Sequence, residues 1–192
     1  MSDLRYLLKV LLRTAVAALC YFFFSYIPKN QFKIVLISFP EHSDSAESVY
    51  RRILQKNLHR IFRIIWLPHF QNLIHLIRKP TLLIKLLYEV LTARYVISTH
   101  GPPFWVNRRQ IHIELWHGIP LKHIVGLFSK NFLDRLYMTM ISKQITYLIV
   151  TSTFTQHLFS EIFGVPLEKC IILGEPRTSE MFKWKDYSRT IL

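Results

Sequence analysis

The sequence predicts an α/β domain, doubly wound around a mainly parallel sheet and preceded by an amphipathic, hydrophobic helix. Three observations predict it. From Lys33 onward, short apolar runs of β type alternate with helix-length stretches, the chain order that builds a parallel sheet. Most of those runs are continuously apolar, as expected of strands covered by helices on both faces. Polar, Gly and Pro residues gather just after the runs, at the strand ends where open α/β sheets bind ligands.

Residues 1–28 form the first segment. Arg5, Lys9 and Arg13 recur every fourth residue and so share one helix face. The uncharged stretch from Thr14 to Ile27 stops at Pro28, short of the roughly 18 to 20 residues a spanning helix needs. A basic start and a short apolar middle also resemble a signal peptide, but no small-x-small cleavage site follows Phe22 to Phe24. We expect a helix in the membrane interface, with Lys and Arg toward anionic lipid. A spanning helix with snorkelling ends and an ordinary core helix are the alternatives.

The strand candidates are residues 33–39, 62–67, 94–99, 111–116, 146–151 and 169–173. The fourth alternates in polarity, which predicts an edge strand or a strand carrying functional side chains. Helices are expected at 45–57 with Asp44 as N-cap, at 73–78 and 81–92 separated by Pro80, at 131–143, and at 153–163 with Gly164 as C-cap. No linker or repeat divides the chain after residue 28, so residues 29–192 read as one domain.

Composition narrows the function. With 51% apolar residues the chain is not disordered. Two cysteines, Cys20 and Cys170, exclude a disulfide scaffold and read as buried thiols of a reducing compartment. A net charge of +13 points to anionic partners. Between Glu47 and Glu89 every charged residue is basic. Aromatics are not interleaved with these cations in an RNA-binding pattern, so nucleic acid is not expected as a partner.

The chemistry is sought at the strand ends. His100 and Gly101 follow the third run. His117, Gly118, Pro120 and Lys122 follow the fourth. Gly118 permits a close backbone turn, Pro120 suits the first position of a helix, and free amides there attract phosphate. His117 can take a proton from a hydroxyl at neutral pH, or be a structural histidine beside a tight turn. Lys122 can neutralise phosphate charge. Gly174 and Arg177 repeat the design after the sixth run, with Pro176 opening a short helix. Arg177 can hold a phosphate with its planar fork, or pair with Glu175, Glu180 or another acid. Ser152 is a phosphate-binding candidate, although helix capping is the commoner use of such a residue. Glycine-rich dinucleotide and P-loop motifs, D-x-D pairs, G-x-S-x-G elbows and H-x-x-x-H or C-x-x-C pairs are all missing from the sequence. Neither a metal nor a cofactor is expected.

Together these stretches resemble the CDP-glycerol glycerophosphotransferase family, the teichoic-acid primases and polymerases of bacterial cell envelopes. Trp116, His117, Gly118, Pro120 and Lys122 match its Trp-His-Gly-x-Pro-x-Lys block. Gly174, Pro176 and Arg177 match a Gly-x-Pro-Arg-Asn-Asp block, in which Thr178 and Ser179 replace Asn and Asp. The resemblance implies the amino-terminal, acceptor-side Rossmann-like domain of a GT-B transferase, with the nucleotide-binding carboxy-terminal domain absent. It implies transfer of glycerol phosphate from CDP-glycerol to a hydroxyl on a lipid-linked or polymer acceptor, with release of CMP. His117 inherits the role of activating that hydroxyl. The expected place of work is the cytoplasmic face of the cell membrane, as a peripheral protein, incomplete or inactive alone or acting with a separate carboxy-terminal half. A non-catalytic membrane-associated remnant and a GT-B glycosyltransferase half using a sugar nucleotide are the alternatives.

Overall fold

The computed structural model describes residues 2–40, 42–68, 80–101, 106–118 and 132–178. Helix α1 (Ser2–Phe23) leads through a short 3-10 turn to β1 (Asn30–Ser38). Then follow α2 (Asp44–Gln55), β2 (Arg63–Pro68), α3 (Pro80–Thr92), β3 (Ala93–Ser98), β4 (Ile111–Glu114), α4 (Phe132–Gln144), β5 (Tyr147–Val150), α5 (Thr153–Phe163) and β6 (Cys170–Ile172). The six strands form one sheet in the order β2-β1-β3-β4-β5-β6, and every pairing is parallel. The winding reverses between β1 and β3, so their carboxyl ends open a crevice at the switch point.

Successive residues of β1 face opposite sides of the sheet, and both sides are covered. Val35 and Ile37 pack with Leu86, Val90 and Leu91 of α3 and with Cys20 of α1. Ile34 and Leu36 pack with Ala46 and Ile53 of α2. A third cluster joins β5 and β6 to Phe159, Ile162 and Phe163 of α5. This two-sided burial is why the strands read as continuous apolar runs.

Two sequence expectations change. Strand β4 lies between β3 and β5, so it is an interior strand and not an edge. Its alternation comes from His112 and Glu114, at 0% and 1% exposure, polar side chains buried on one face. Helix α2 begins at Asp44, and its N-cap is Ser43, whose hydroxyl donates to the Pro40 carbonyl and leaves the helix amides uncapped by a side chain. Pro80 is the first residue of α3, as its fixed φ and missing N–H allow. The helix expected at 73–78 lies outside the described residues. The α5 expectation matches: Ser152 caps it, and Gly164 ends it at φ 65°.

Helix α1 has two kinds of surface. Cys20 sits in the core, where burial pushes its thiol pKa up to about 11. Leu8, Leu11, Leu12, Leu19, Phe22 and Phe23 are exposed, and their spacing places them in one stripe along the helix. Among the described residues, no helix is long and apolar enough to cross a membrane.

Lys33 is the notable buried charge. Its ammonium lies 2.8 Å from Glu89 and 2.6 Å from the Thr92 hydroxyl, tying β1 to α3. Glu89 also accepts from Arg63 of β2 at 3.0 Å. Removing the acid strands the Lys33 charge in the core. Glu89→Ala should therefore destabilise the fold by about 3–5 kcal/mol, measured by chemical denaturation.

Candidate active site at the carboxyl ends of the strands

The site is built where the β3 and β4 ladder ends. Register pairs Ser98 with Glu114, and the Leu115 amide closes the last rung on the Ser98 carbonyl at 2.8 Å. Beyond that rung both chains turn. Trp116 adopts φ 55° and Gly118 φ 135°. A positive φ costs a non-glycine residue about 1–2 kcal/mol. Burial of the Trp116 ring offsets it: the indole packs edge-on against Phe163 of α5 at 4.6 Å and Phe159 at 6.0 Å.

This turn carries His117 onto the neighbouring loop. Its Nδ1 lies 2.8 Å from the Thr99 carbonyl. A carbonyl only accepts, so Nδ1 carries the proton, and in the neutral ring Nε2 presents the lone pair. The ring stacks on His100 at 4.2 Å and 7°, and the Trp116 ring lies tilted at 4.3 Å. His100 is set in turn by the Thr99 hydroxyl at 2.8 Å and by the Phe39 ring at 5.9 Å. An exposed imidazole with one nitrogen tied back and the other unprotonated is chemically equipped to accept a proton.

Arg177 comes to the same rim from beyond β6. Its Nη2 donates to the His117 carbonyl at 3.2 Å, its Nη1 to Asp44 at 3.0 Å, and its Nε to Glu175 at 2.6 Å. The Glu175 hydrogen bond, ahead of the charge of Asp44, raises its pKa further and keeps the guanidinium charged. The acid pairing foreseen for Arg177 is thus present through Glu175, with Asp44 as the further acid. Arg177 joins the ends of β4 and β6 to the start of α2. Gly118 makes room for it, since a Cβ there would sit 3.2 Å from Nη2.

The other candidates divide. Gly174, at φ 78°, turns the chain after β6, and its amide donates to the Val150 carbonyl at 3.1 Å. The Ser152 hydroxyl accepts the Thr155 amide at 3.2 Å in a capping box. Lys122 lies outside the described residues.

Beneath the rim is a polar group that sequence reasoning did not name. Glu114 Oε2 accepts from Ser98 Oγ at 2.5 Å, and Ser98 Oγ lies 2.7 Å from His112 Nε2. Burial holds His112 neutral, with its pKa lowered to about 3. Burial also pushes Glu114 up to about 7, against the opposing pull of Ser98 and the Gly101 and Trp116 amides. At 3.6 Å, the two are therefore not an ion pair at neutral pH. The alternation of residues 111–116 was the only signal for them.

Two outcomes follow. Gly118→Ala should destabilise the protein by about 1–3 kcal/mol, read as a lowered thermal midpoint. His112 contributes stability that is present above its ordinary pKa of 6.5 and lost as pH falls toward about 3. Glu114 contributes the reverse, present below 4.5 and lost as pH rises through about 7. The two slopes oppose one another between 4.5 and 6.5, so the His112 loss emerges below that window. Denaturation at stepped pH should show this acid arm in the wild type and a shallower one in His112→Phe.

Comparison with solved structures gives the wall teichoic acid polymerase TagF, with a TM-score of 0.69 at 17% identity. The alignment covers 97% of this chain and 49% of that one, so the chain spans about half the polymerase's length. A histidine-to-asparagine variant of TagF soaked with CDPG aligns at TM-score 0.67 and 18% identity, over 98% of this chain and 53% of that one. These likenesses establish the fold. No curated protein sequence matches. The family model described as CDP-glycerol:poly(glycerophosphate) glycerophosphotransferase matches residues 19–190, nearly the whole chain including both the His117 and the Arg177 turns, and the protein belongs to that family.

Proposed function

We propose that this domain supplies the acceptor side of a transferase that moves glycerol phosphate from CDP-glycerol to a hydroxyl on a lipid-linked or polymeric acceptor. The observation that carries the reading is the His117 ring, fixed with Nδ1–H on the Thr99 carbonyl, which leaves Nε2 as the nitrogen that can accept a proton. In the step proposed, the acceptor hydroxyl gives its proton to His117 Nε2. Its oxygen forms a bond to the phosphorus bearing glycerol, the bridging P–O bond of the donor breaks, and CMP leaves. Stabilising the moving phosphoryl group needs cations and amides around it. Gly118, Lys122 and Arg177 are the proposed contributors, with Gly174 and Ser152 shaping the same rim. Because Asp44 and Glu175 hold Arg177, its proposed work is to orient the rim and offset charge.

The place of work proposed is the cytoplasmic face of the cell membrane. The exposed stripe on α1, including Leu12 at 66% and Phe23 at 65%, supports an interfacial helix, and the net charge of +13 suits anionic lipid.

The test of the chemistry is CMP release from CDP-glycerol in membranes that carry the protein with its native partners. His117→Ala should lower the rate ~100-fold or more. Activity within about tenfold of wild type rules out His117 as the base, and turnover of UDP-sugars in place of CDP-glycerol rules out the donor. For the membrane, Leu12→Glu with Phe23→Glu should abolish co-flotation with vesicles containing anionic phospholipid. Undiminished binding by that variant excludes α1 as the anchor.

A further inference from the structure

We propose that Glu114 is a positioning residue, whose buried carboxylate ties the end of β3 to the loop after β4 and so fixes the orientation of His117. The proposal rests on the reading of His117 as the general base. The geometry comes from two donors that converge on one side chain. Ser98 Oγ donates to Oε2 at 2.5 Å, and the Trp116 amide donates to Oε1 at 3.2 Å. Strand β3 ends at Ser98 and β4 at Glu114, so the Trp116 amide lies beyond the strand ladder. Glu114 supplies the acceptor where the ladder stops.

Both donors sit next to the residues that set His117. Trp116 immediately precedes His117, and Ser98 immediately precedes Thr99. Trp116 is in the left-handed region, at φ 55°, and that φ decides where the following imidazole points. The Thr99 carbonyl that receives His117 Nδ1–H at 2.8 Å follows Ser98 directly. One carboxylate therefore holds both the residue that aims His117 and the segment that receives its proton.

Only an acid fits. A carboxylate offers two accepting oxygens and no donor, whereas an amide side chain of the same shape would turn an NH2 toward one of the two donors. Ser98 extends the same logic. With its single proton given to Glu114, its oxygen must accept from His112 Nε2–H. Nδ1 of His112 is then a bare acceptor, and it has no hydrogen-bond partner. His112 is also the titratable group beside Glu114, with Nε2 3.6 Å from Oε2.

The test uses the whole chain at about pH 8, where carboxylates are ionised. In the wild type, the Trp116 amide should exchange with solvent at least ~100-fold more slowly than a free peptide amide, and His117 should show one tautomer by nitrogen-15 NMR. Free exchange of that amide overturns the proposal without any variant. In Glu114→Gln, the Trp116 amide should lose protection at least ~10-fold, and His117 should become a mixture of tautomers. A folded Glu114→Gln protein that keeps the single His117 tautomer overturns the proposal, whatever the amide does. Should that variant not fold, the wild-type exchange rate decides the matter. Neither measurement reads turnover, so failure here leaves the base assignment standing, and an active His117→Ala enzyme would leave this result unchanged.

Discussion

The parallel register of β3 against β4 is the constraint on which the site depends. Pairing Ser98 with Glu114 puts a hydroxyl beside a carboxylate in the interior and sets the two following turns side by side. A slip of one residue would carry His112 and Glu114 to the opposite face of the sheet, among Ile97 and Leu115. It would also separate His117 from the Thr99 carbonyl. The apolar partition of neighbouring strands holds that register, since Val35 and Ile37 require one face and Ile34 and Leu36 the other.

Charge is managed in two different ways in this small sheet. At its amino end, Lys33 is buried with an acid, a hydroxyl and the Tyr88 ring around it, close partners that compensate it. At its carboxyl end, His112 gives up its charge, and Glu114 is met by donors alone. The contrast follows from what each group is near. A cation with a carboxylate at 2.8 Å is compensated, while a buried imidazole facing a hydroxyl gains more by staying neutral.

The rim itself is crowded with rings and ions that restrain one another. His117 is stacked, hydrogen-bonded through its side chain and held through its carbonyl by Arg177. Arg177 in turn spans Asp44 and Glu175. Residues from the starts or ends of α2, β3, β4 and β6 therefore meet at one place, although they are up to 133 positions apart in the chain. Such preorganisation is what a proton-accepting imidazole needs if its lone pair is to be aimed before an acceptor arrives.

Much of this was legible from sequence, for physical reasons. Continuous apolar runs reveal strands buried on both faces, and Ser152 with Gly164 marks the ends of α5, because strand burial and capping are local properties written in consecutive residues. The Trp-His-Gly turn was legible too, since Gly118 and the strand before it announce a change of direction. The interior place of β4, the Ser43 cap, the hold of Asp44 on Arg177 and the convergence of Ser98 and Trp116 on Glu114 were decided only in three dimensions. Each depends on which strand lies beside which. In a sheet ordered β2-β1-β3-β4-β5-β6 that adjacency follows from packing both faces at once, and no single stretch of chain contains it.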